Sequence, residues 1–284
     1  MHKFRLVGIG LALAGLIAVV GVAFAGGAVS AQEDVTYTVT IENLTSGQPM
    51  TPPVVIAHTA EVGFFGLGDA ATMEVIQIAE NGNNDPLVAL ASGAPGVHDH
   101  GAAGGPVLPG ESQTVMIVAP AGSYLTVVQM LICTNDGFTG VDAMRLPASG
   151  STSVDANAYD AGSEQNTEDF ADIVPPCQDI IGVSSDDAGT GMSNPDLAEG
   201  GVISTHAGIT GDNDLTVSDH GWTDPVARIT VSAAADGLPS SGTGFVDVVD
   251  SNDAGMWLIY LALTGAALVT LGGGLLVARR RITG

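Results

Sequence analysis

Basic residues are scarce in this chain of 284 residues, and lysine is absent from its long central part. Five of the seven basic residues lie within the first five and the last six positions. All 31 acidic residues lie between Glu33 and Asp253, where Arg145 and Arg228 are the only basic residues, so this part has a net charge of −29. Such a surface repels nucleic acid and attracts cations. The composition therefore predicts no nucleic-acid partner, although an acidic surface also serves simply to keep a protein hydrated.

Sequence motifs of catalysis are missing as well. The chain contains no Gly-x-Ser-x-Gly, no His-Glu-x-x-His and no phosphate-binding loop. Acidic residues are so numerous that a pair of catalytic carboxylates can be drawn almost anywhere, so their abundance says nothing about catalysis. We therefore predict that the protein is not an enzyme, and a secreted hydrolase is the least favoured alternative.

The first 31 residues have the features of an export signal. Lys3 and Arg5 precede a long apolar run, and residues 29–31 (Val-Ser-Ala) place small side chains where a signal peptidase cleaves, before Gln32. Residues 1–31 are therefore predicted to be a signal peptide. The apolar run is long for a signal, so an uncleaved anchor is the alternative.

The C-terminal end predicts a membrane anchor. Residues 256–278 are 23 positions without a charge, enough to span about 30 Å of hydrocarbon as a helix. The basic tail that follows, 279–284, should stay in the cytoplasm. A flexible acidic stalk, 235–255, links this span to the extracellular domain, 32–234, and the chain is predicted to cross the cell membrane once. Leu-Pro-Ser-Ser-Gly at 238–242 is similar to a sortase signal, which makes covalent anchoring an alternative.

The extracellular domain has the pattern of an all-β protein. Alternating β-formers and turn residues predict strands at 35–41, 54–57, 111–118, 124–133, 200–204 and 225–233. The third and fourth of these are predicted to form a hairpin around the turn 120–123. One short helix is predicted within 69–80, and the Gly-rich stretch 93–110 is predicted to be a loop. Many short strands and one helix indicate an antiparallel β-sandwich.

Five stretches of the domain together resemble the spondin N-terminal domain family. They are TYTVTIENLTSGQPMTPPVVIAHTAEVGFFGLGDAAT (36–72), LVALA (87–91), SYLTVVQMLICTNDGFTGVD (123–142), AYDAGSEQNTE (158–168) and HGWTDPVARITV (220–231). The resemblance covers about residues 34–233. It implies a C2-like antiparallel β-sandwich and a role in adhesion or matrix recognition. The thrombospondin-type repeats and reelin-like segment of animal spondins have no counterpart in this chain.

The resemblance also implies a bound calcium ion near Asp136. Animal members carry Pro and Trp around this acid, whereas Asn135 and Gly137 flank it here. Calcium takes six to eight oxygen ligands, from carboxylates, carbonyls and water. The further candidate ligands are the carbonyl of Ile132 and the carboxylates of Asp142 and Glu111, of which Glu111 is the least favoured. The alternative is a polar turn with solvated acids.

Cysteines and histidines give weaker expectations. Cys133 and Cys177 are the only cysteines, and because both are predicted to be exported, a disulfide between them is chemically permitted and expected. His98 and His100 suit zinc or copper only if a third ligand joins them, and a mobile loop is favoured. His58 is expected to be a structural, hydrogen-bonded residue.

Together these observations predict a cell-surface binding or adhesion module that recognises an extracellular protein or glycan, with calcium as its cofactor. The alternative is a structural envelope protein whose acidic surface hydrates and spaces the cell boundary. Retention of a ligand that depends on a cation would separate the two.

Overall fold

A computed structural model describes residues 33–183 and 185–234, all within one compact unit. Two antiparallel sheets face each other. The four-stranded sheet has the order β4 (Ser112–Pro120), β1 (Asp34–Asn43), β10 (Ala227–Ala233) and β7 (Ser151–Ala156). The six-stranded sheet has the order β3 (Val97–Ala102), β2 (Val54–His58), β5 (Tyr124–Met130), β6 (Gly137–Arg145), β8 (Ala158–Asp160) and β9 (Ser204–Thr205). The predicted mostly-β fold with two antiparallel sheets is confirmed.

The alternation of the sequence explains the first core. Along β1, Tyr37, Val39 and Ile41 point inward and are buried, while the residues between them are more exposed. They meet inward-facing apolar residues of the neighbouring strands, such as Val127 and Ile229, between the two sheets. A strand with one buried face must alternate in this way because successive side chains point to opposite sides.

A second core lies on the outer face of the six-stranded sheet. Here α1 (Met73–Asn81) and α2 (Asp85–Gly93) pack against the sheet through residues such as Ile78 and Leu87. Strand β2 is therefore buried on both faces, which explains its uninterrupted apolar sequence. The sandwich thus carries a helical layer on one side.

The helix predicted within 69–80 is present as α1, which begins at Met73 and ends at Asn81, but it is not the only helix of the described residues. The Thr72 hydroxyl caps α1 by accepting from the amide of Val75. Gly82 adopts a left-handed conformation (φ 62°) and ends α1 before α2 begins. Two shorter α-helices, α3 (Pro176–Ile181) and α4 (Val217–His220), and two short 3-10 helices follow later in the chain.

Two further predictions about strands were wrong. The strands β4 and β5 do not form a hairpin, because β4 pairs with β1 and β5 pairs with β2 and β6, so the short turn joins two sheets. The Gly-rich stretch predicted to be a loop contains β3, which pairs with β2. Small, flexible residues are compatible with either a loop or a strand, so the pairing with neighbouring strands determines which structure forms.

Four predicted segments lie outside the described residues: the signal peptide 1–31, the stalk 235–255, the membrane span 256–278 and the basic tail 279–284. Within 33–183 and 185–234, every helix is too short or too polar to cross a membrane.

Candidate cation site

The loop that follows β5 is a tight, closed turn. The Thr134 hydroxyl donates to the carbonyl of Leu131 (2.6 Å) and accepts from the amide of Gly137 (2.9 Å). The Leu131 amide donates to the Gly137 carbonyl across the same turn (2.9 Å). A side chain at position 137 would collide with Thr134, which explains the glycine. The polar residues after the apolar strand are therefore ordered by the fold.

Neighbouring segments hold this turn in place. The side-chain amide of Gln48 accepts from the Cys133 amide (2.7 Å) and donates to the Cys133 carbonyl (3.2 Å). The Asn135 side chain donates to the Thr167 hydroxyl (3.1 Å) and accepts from the Thr167 amide (3.0 Å). The predicted disulfide is present between Cys133 and Cys177 and ties the turn to α3. A site built on this turn is therefore preorganised.

Asp136 is fully buried and only half satisfied. Its Oδ2 atom accepts hydrogen bonds from the Ser163 amide (2.8 Å), the Ser163 hydroxyl (3.2 Å) and the Glu164 amide (3.1 Å). Its Oδ1 atom is buried and has no hydrogen-bond partner among the described residues. Burial, followed by the charge of Asp160, raises the pKa of Asp136 to about 6.

Glu168 shows what a satisfied buried carboxylate looks like in the same protein. It is 6% exposed, and both of its oxygens accept hydrogen bonds, from Thr210, Gly211 and Asp212. Burial raises its pKa, but these hydrogen bonds outweigh that effect and lower the pKa overall. The free oxygen of Asp136 is therefore an exception that calls for an explanation.

Two further acids converge on Asp136. Asp160 ends β8 and lies opposite Gly137 in the pairing of β6 with β8. The chain then turns at Gly162 (φ 68°) and brings Glu164, which is 4% exposed, beneath the Asp136 turn. Burial is the main cause that raises the pKa of Glu164 to about 7, and the charges of Glu80, Asp136 and Asp172 add to it.

No arginine neutralises this cluster among the described residues. His206 interacts with the charge of Asp160, but burial lowers the pKa of its imidazole and so favours the neutral form. Arg228 pairs with Asp155 on the exposed face of the four-stranded sheet (2.7 Å). Arg145 is the last residue of β6, and eight residues of strand from Gly137 correspond to about 26 Å. A buried, ionised carboxylate without a partner is costly, so it must be protonated or hold a cation.

The chemistry of Asp136 suits a hard cation, because carboxylate oxygens are the ligands that calcium prefers and its Oδ1 atom is free. Asp160 and Glu164 are close enough for their charges to act on Asp136, but among the described residues the oxygens of the three acids do not all lie within 4.8 Å of one another. The carbonyl oxygen of Ile132 accepts no hydrogen bond from the described residues, so it too is free to serve as a ligand.

The other two predicted ligands lie elsewhere. Asp142 is six residues along β6 from Asp136, about 20 Å in a strand, and its Oδ1 accepts from the Thr126 hydroxyl (2.6 Å) and the Phe64 amide (3.0 Å). Glu111 is exposed and precedes β4 of the four-stranded sheet. The structure therefore does not bring these two acids to the Asp136 turn.

The sequence prediction missed Asp160 and Glu164. Both lie in the stretch 158–168, which was recognised only as part of the spondin resemblance. The available signal was an acid at the end of a short strand, Asp160, followed by a glycine and a second acid, Glu164. Its pairing partner could not be read from the sequence, because β8 contains only three residues.

The histidines predicted as possible ligands do not form a metal site, whereas a second acidic group, separate from Asp136, brings three carboxylates together. His58 is fully buried, with Nδ1 beside the Thr59 carbonyl and Nε2 beside the Thr126 hydroxyl, as expected of a structural histidine. His98 and His100 lie on strand β3, which corrects the predicted mobile loop. A partly exposed group places carboxylate oxygens within 4.8 Å of one another, from Asp169, Asp187 and Asp214.

Comparison with protein-family models gives no match to this chain, and comparison with curated proteins gives none either. The spondin resemblance therefore stays a prediction that depends on the five similar stretches within residues 34–233.

Proposed function

We propose that the described domain is a calcium-dependent binding module of the cell surface. The observation that carries this proposal is the buried, unpartnered Oδ1 of Asp136 within a group of acids that has no arginine partner among the described residues. A bound cation would supply the missing charge and fix the position of the turns at 131–137 and 160–164. The function follows from that rigidity, because a surface held by an ion can recognise a ligand without first ordering itself.

The expected ligand is an extracellular protein or glycan, as the spondin resemblance implies. The membrane span predicted at 256–278 would hold the module at the cell boundary. The alternative, a structural envelope protein, is supported by the charge of the central part, where 31 acids face only Arg145 and Arg228. Among the described residues, one acid, Asp155, is paired with an arginine, Arg228.

Calcium titration by calorimetry tests the cation site. The full-length chain, purified in detergent, is compared with Asp136→Asn and with the matched control Asp142→Asn, since both acids lie on or beside β6. Saturable binding at the Asp136 site is expected for the unchanged protein and for Asp142→Asn, and Asp136→Asn should bind one ion fewer than either. Equal weak heats in all three proteins would contradict the proposal.

Ligand retention separates the two functional alternatives. The chain is probed on an array of extracellular glycans and matrix proteins, in calcium and in a chelator. Binding of a defined probe only in calcium, lost in Asp136→Asn, supports the binding module. Calcium binding without retention of any probe would favour the structural role.

A further inference from the structure

A fourth buried acid lies beside the proposed cation site and is not used by it. Glu80 belongs to the last turn of α1, is 7% exposed, and its Oε2 atom is buried without a partner among the described residues. The end of α1 lies close to the end of β5, since a Cβ at Gly82 would be 3.5 Å from the Met130 sulfur. The charge of Glu80 is also one of the causes that raise the pKa of Glu164. Glu80 is thus the second buried carboxylate of this region with a free oxygen.

The position of Glu80 makes its charge more costly. The C-terminal end of a helix carries a partial negative charge, and this end of α1 has no basic residue to offset it. An acid in the last turn is therefore repelled by its own helix as well as by Glu164. Nothing in the local sequence of α1 offsets this repulsion.

Neutral oxygen atoms complete the surroundings. The Asn81 side chain donates to the Ser193 hydroxyl (3.1 Å), and its Oδ1 atom is buried and free among the described residues. The next residue, Asn194, donates its amide to Glu164. The segment 193–194 therefore contacts both Asn81 and Glu164, and it draws the end of α1 and the turn after β8 together.

We propose that a second divalent cation binds between Glu80 and Glu164, with Asn81 Oδ1 as a neutral ligand. This inference rests on the proposed cation at Asp136, and Glu164 becomes the carboxylate shared by the two ions. Five acids of this region, Glu80, Asp136, Asp160, Glu164 and Asp172, carry a formal charge of −5 that one divalent ion leaves at −3. The second ion links α1 to the sheet, so calcium would hold the helical layer as well as the turn.

The stoichiometry of calcium binding tests this inference. Radioactive calcium is measured by equilibrium dialysis at pH 8 on the full-length chain, on Glu80→Gln and on Glu74→Gln, a matched control from the same helix. We expect two ions for the unchanged protein and for Glu74→Gln, one ion for Glu80→Gln, and one ion for Asp136→Asn.

The outcomes distinguish this inference from the proposed function. One ion in the unchanged protein, retained in Glu80→Gln and lost in Asp136→Asn, would overturn the second site and leave the first. No bound calcium at all would overturn both. If Glu80→Gln does not fold, anomalous diffraction of terbium-soaked crystals of the unchanged protein decides: a peak against Glu80 supports the second site, and its absence overturns it.

Discussion

Asp136→Asn should change the stability of the domain in opposite directions with and without calcium. The raised pKa of Asp136, about 6 in place of 3.8, means that its ionised form costs the folded state about 3 kcal/mol when no cation is bound. Because the folded pKa lies above the unfolded one, this loss is absent below pH 3.8 and complete above about pH 6. The asparagine carries no charge, so it avoids the loss.

The expected magnitudes follow from the contacts. Asparagine keeps the volume of Asp136 and can accept from Ser163 and Glu164 with its carbonyl oxygen, although these hydrogen bonds lose the help of a charge. In a chelator at pH 8, Asp136→Asn should therefore be more stable than the unchanged protein by about 1–3 kcal/mol. In calcium at about 1,000 times the dissociation constant of the Asp136 site, binding at this site adds about 4.1 kcal/mol to the unchanged protein and nothing to the variant, so the order reverses.

Urea denaturation followed by circular dichroism measures both free energies of unfolding. The chelator series is run from pH 3.5 to pH 8, and the advantage of the variant should develop between pH 3.8 and about pH 6. A variant that is less stable than the unchanged protein in both buffers would refute the reasoning, because Asp136 would then be only a structural hydrogen-bond acceptor.

Three further changes test the supports of the site. Reducing the disulfide between Cys133 and Cys177, which are 44 residues apart, should lower the free energy of unfolding by about 4 kcal/mol in the chain-entropy model, as measured by urea denaturation with and without a thiol reductant. Replacing Gln48 with alanine leaves the buried Cys133 amide unpaired and should cost about 2–3 kcal/mol in the same assay, whereas an unchanged midpoint would contradict its bridging role. Asp142→Asn weakens the hydrogen bonds from the Thr126 hydroxyl and the Phe64 amide and should lower the free energy of unfolding by about 1–3 kcal/mol, whereas calcium binding measured by calorimetry should be unchanged.

The candidate site was only partly accessible from the sequence. An acid that ends an apolar strand is visible in the residues alone, and the spondin resemblance singled out Asp136. Its companions were not visible, because Asp160 and Glu164 approach it through the pairing of β6 with a strand of three residues. Asp142, by contrast, is near Asp136 in sequence but lies about 20 Å away, because each residue of an extended strand adds about 3.3 Å to the distance.

Local pattern alone determined several features of this protein. The alternation of β1 specified its buried face, since only one register places Tyr37, Val39 and Ile41 against the core. The composition concentrated the acids in the central part, and the presence of only two cysteines left one possible disulfide. These features depend only on the order of neighbouring residues or on the number of residues of one type, and both are present in the sequence itself.

The tertiary structure decided which segments meet. The turn between β4 and β5 is compatible with a hairpin or with a passage between sheets, and only the competing partners β1, β2 and β6 settle it. The same holds for the buried acids: Glu80, Asp136 and Glu164 come from three distant segments and are harmless apart. Their mutual repulsion becomes large only once packing has removed them from water, because burying a charge is costly.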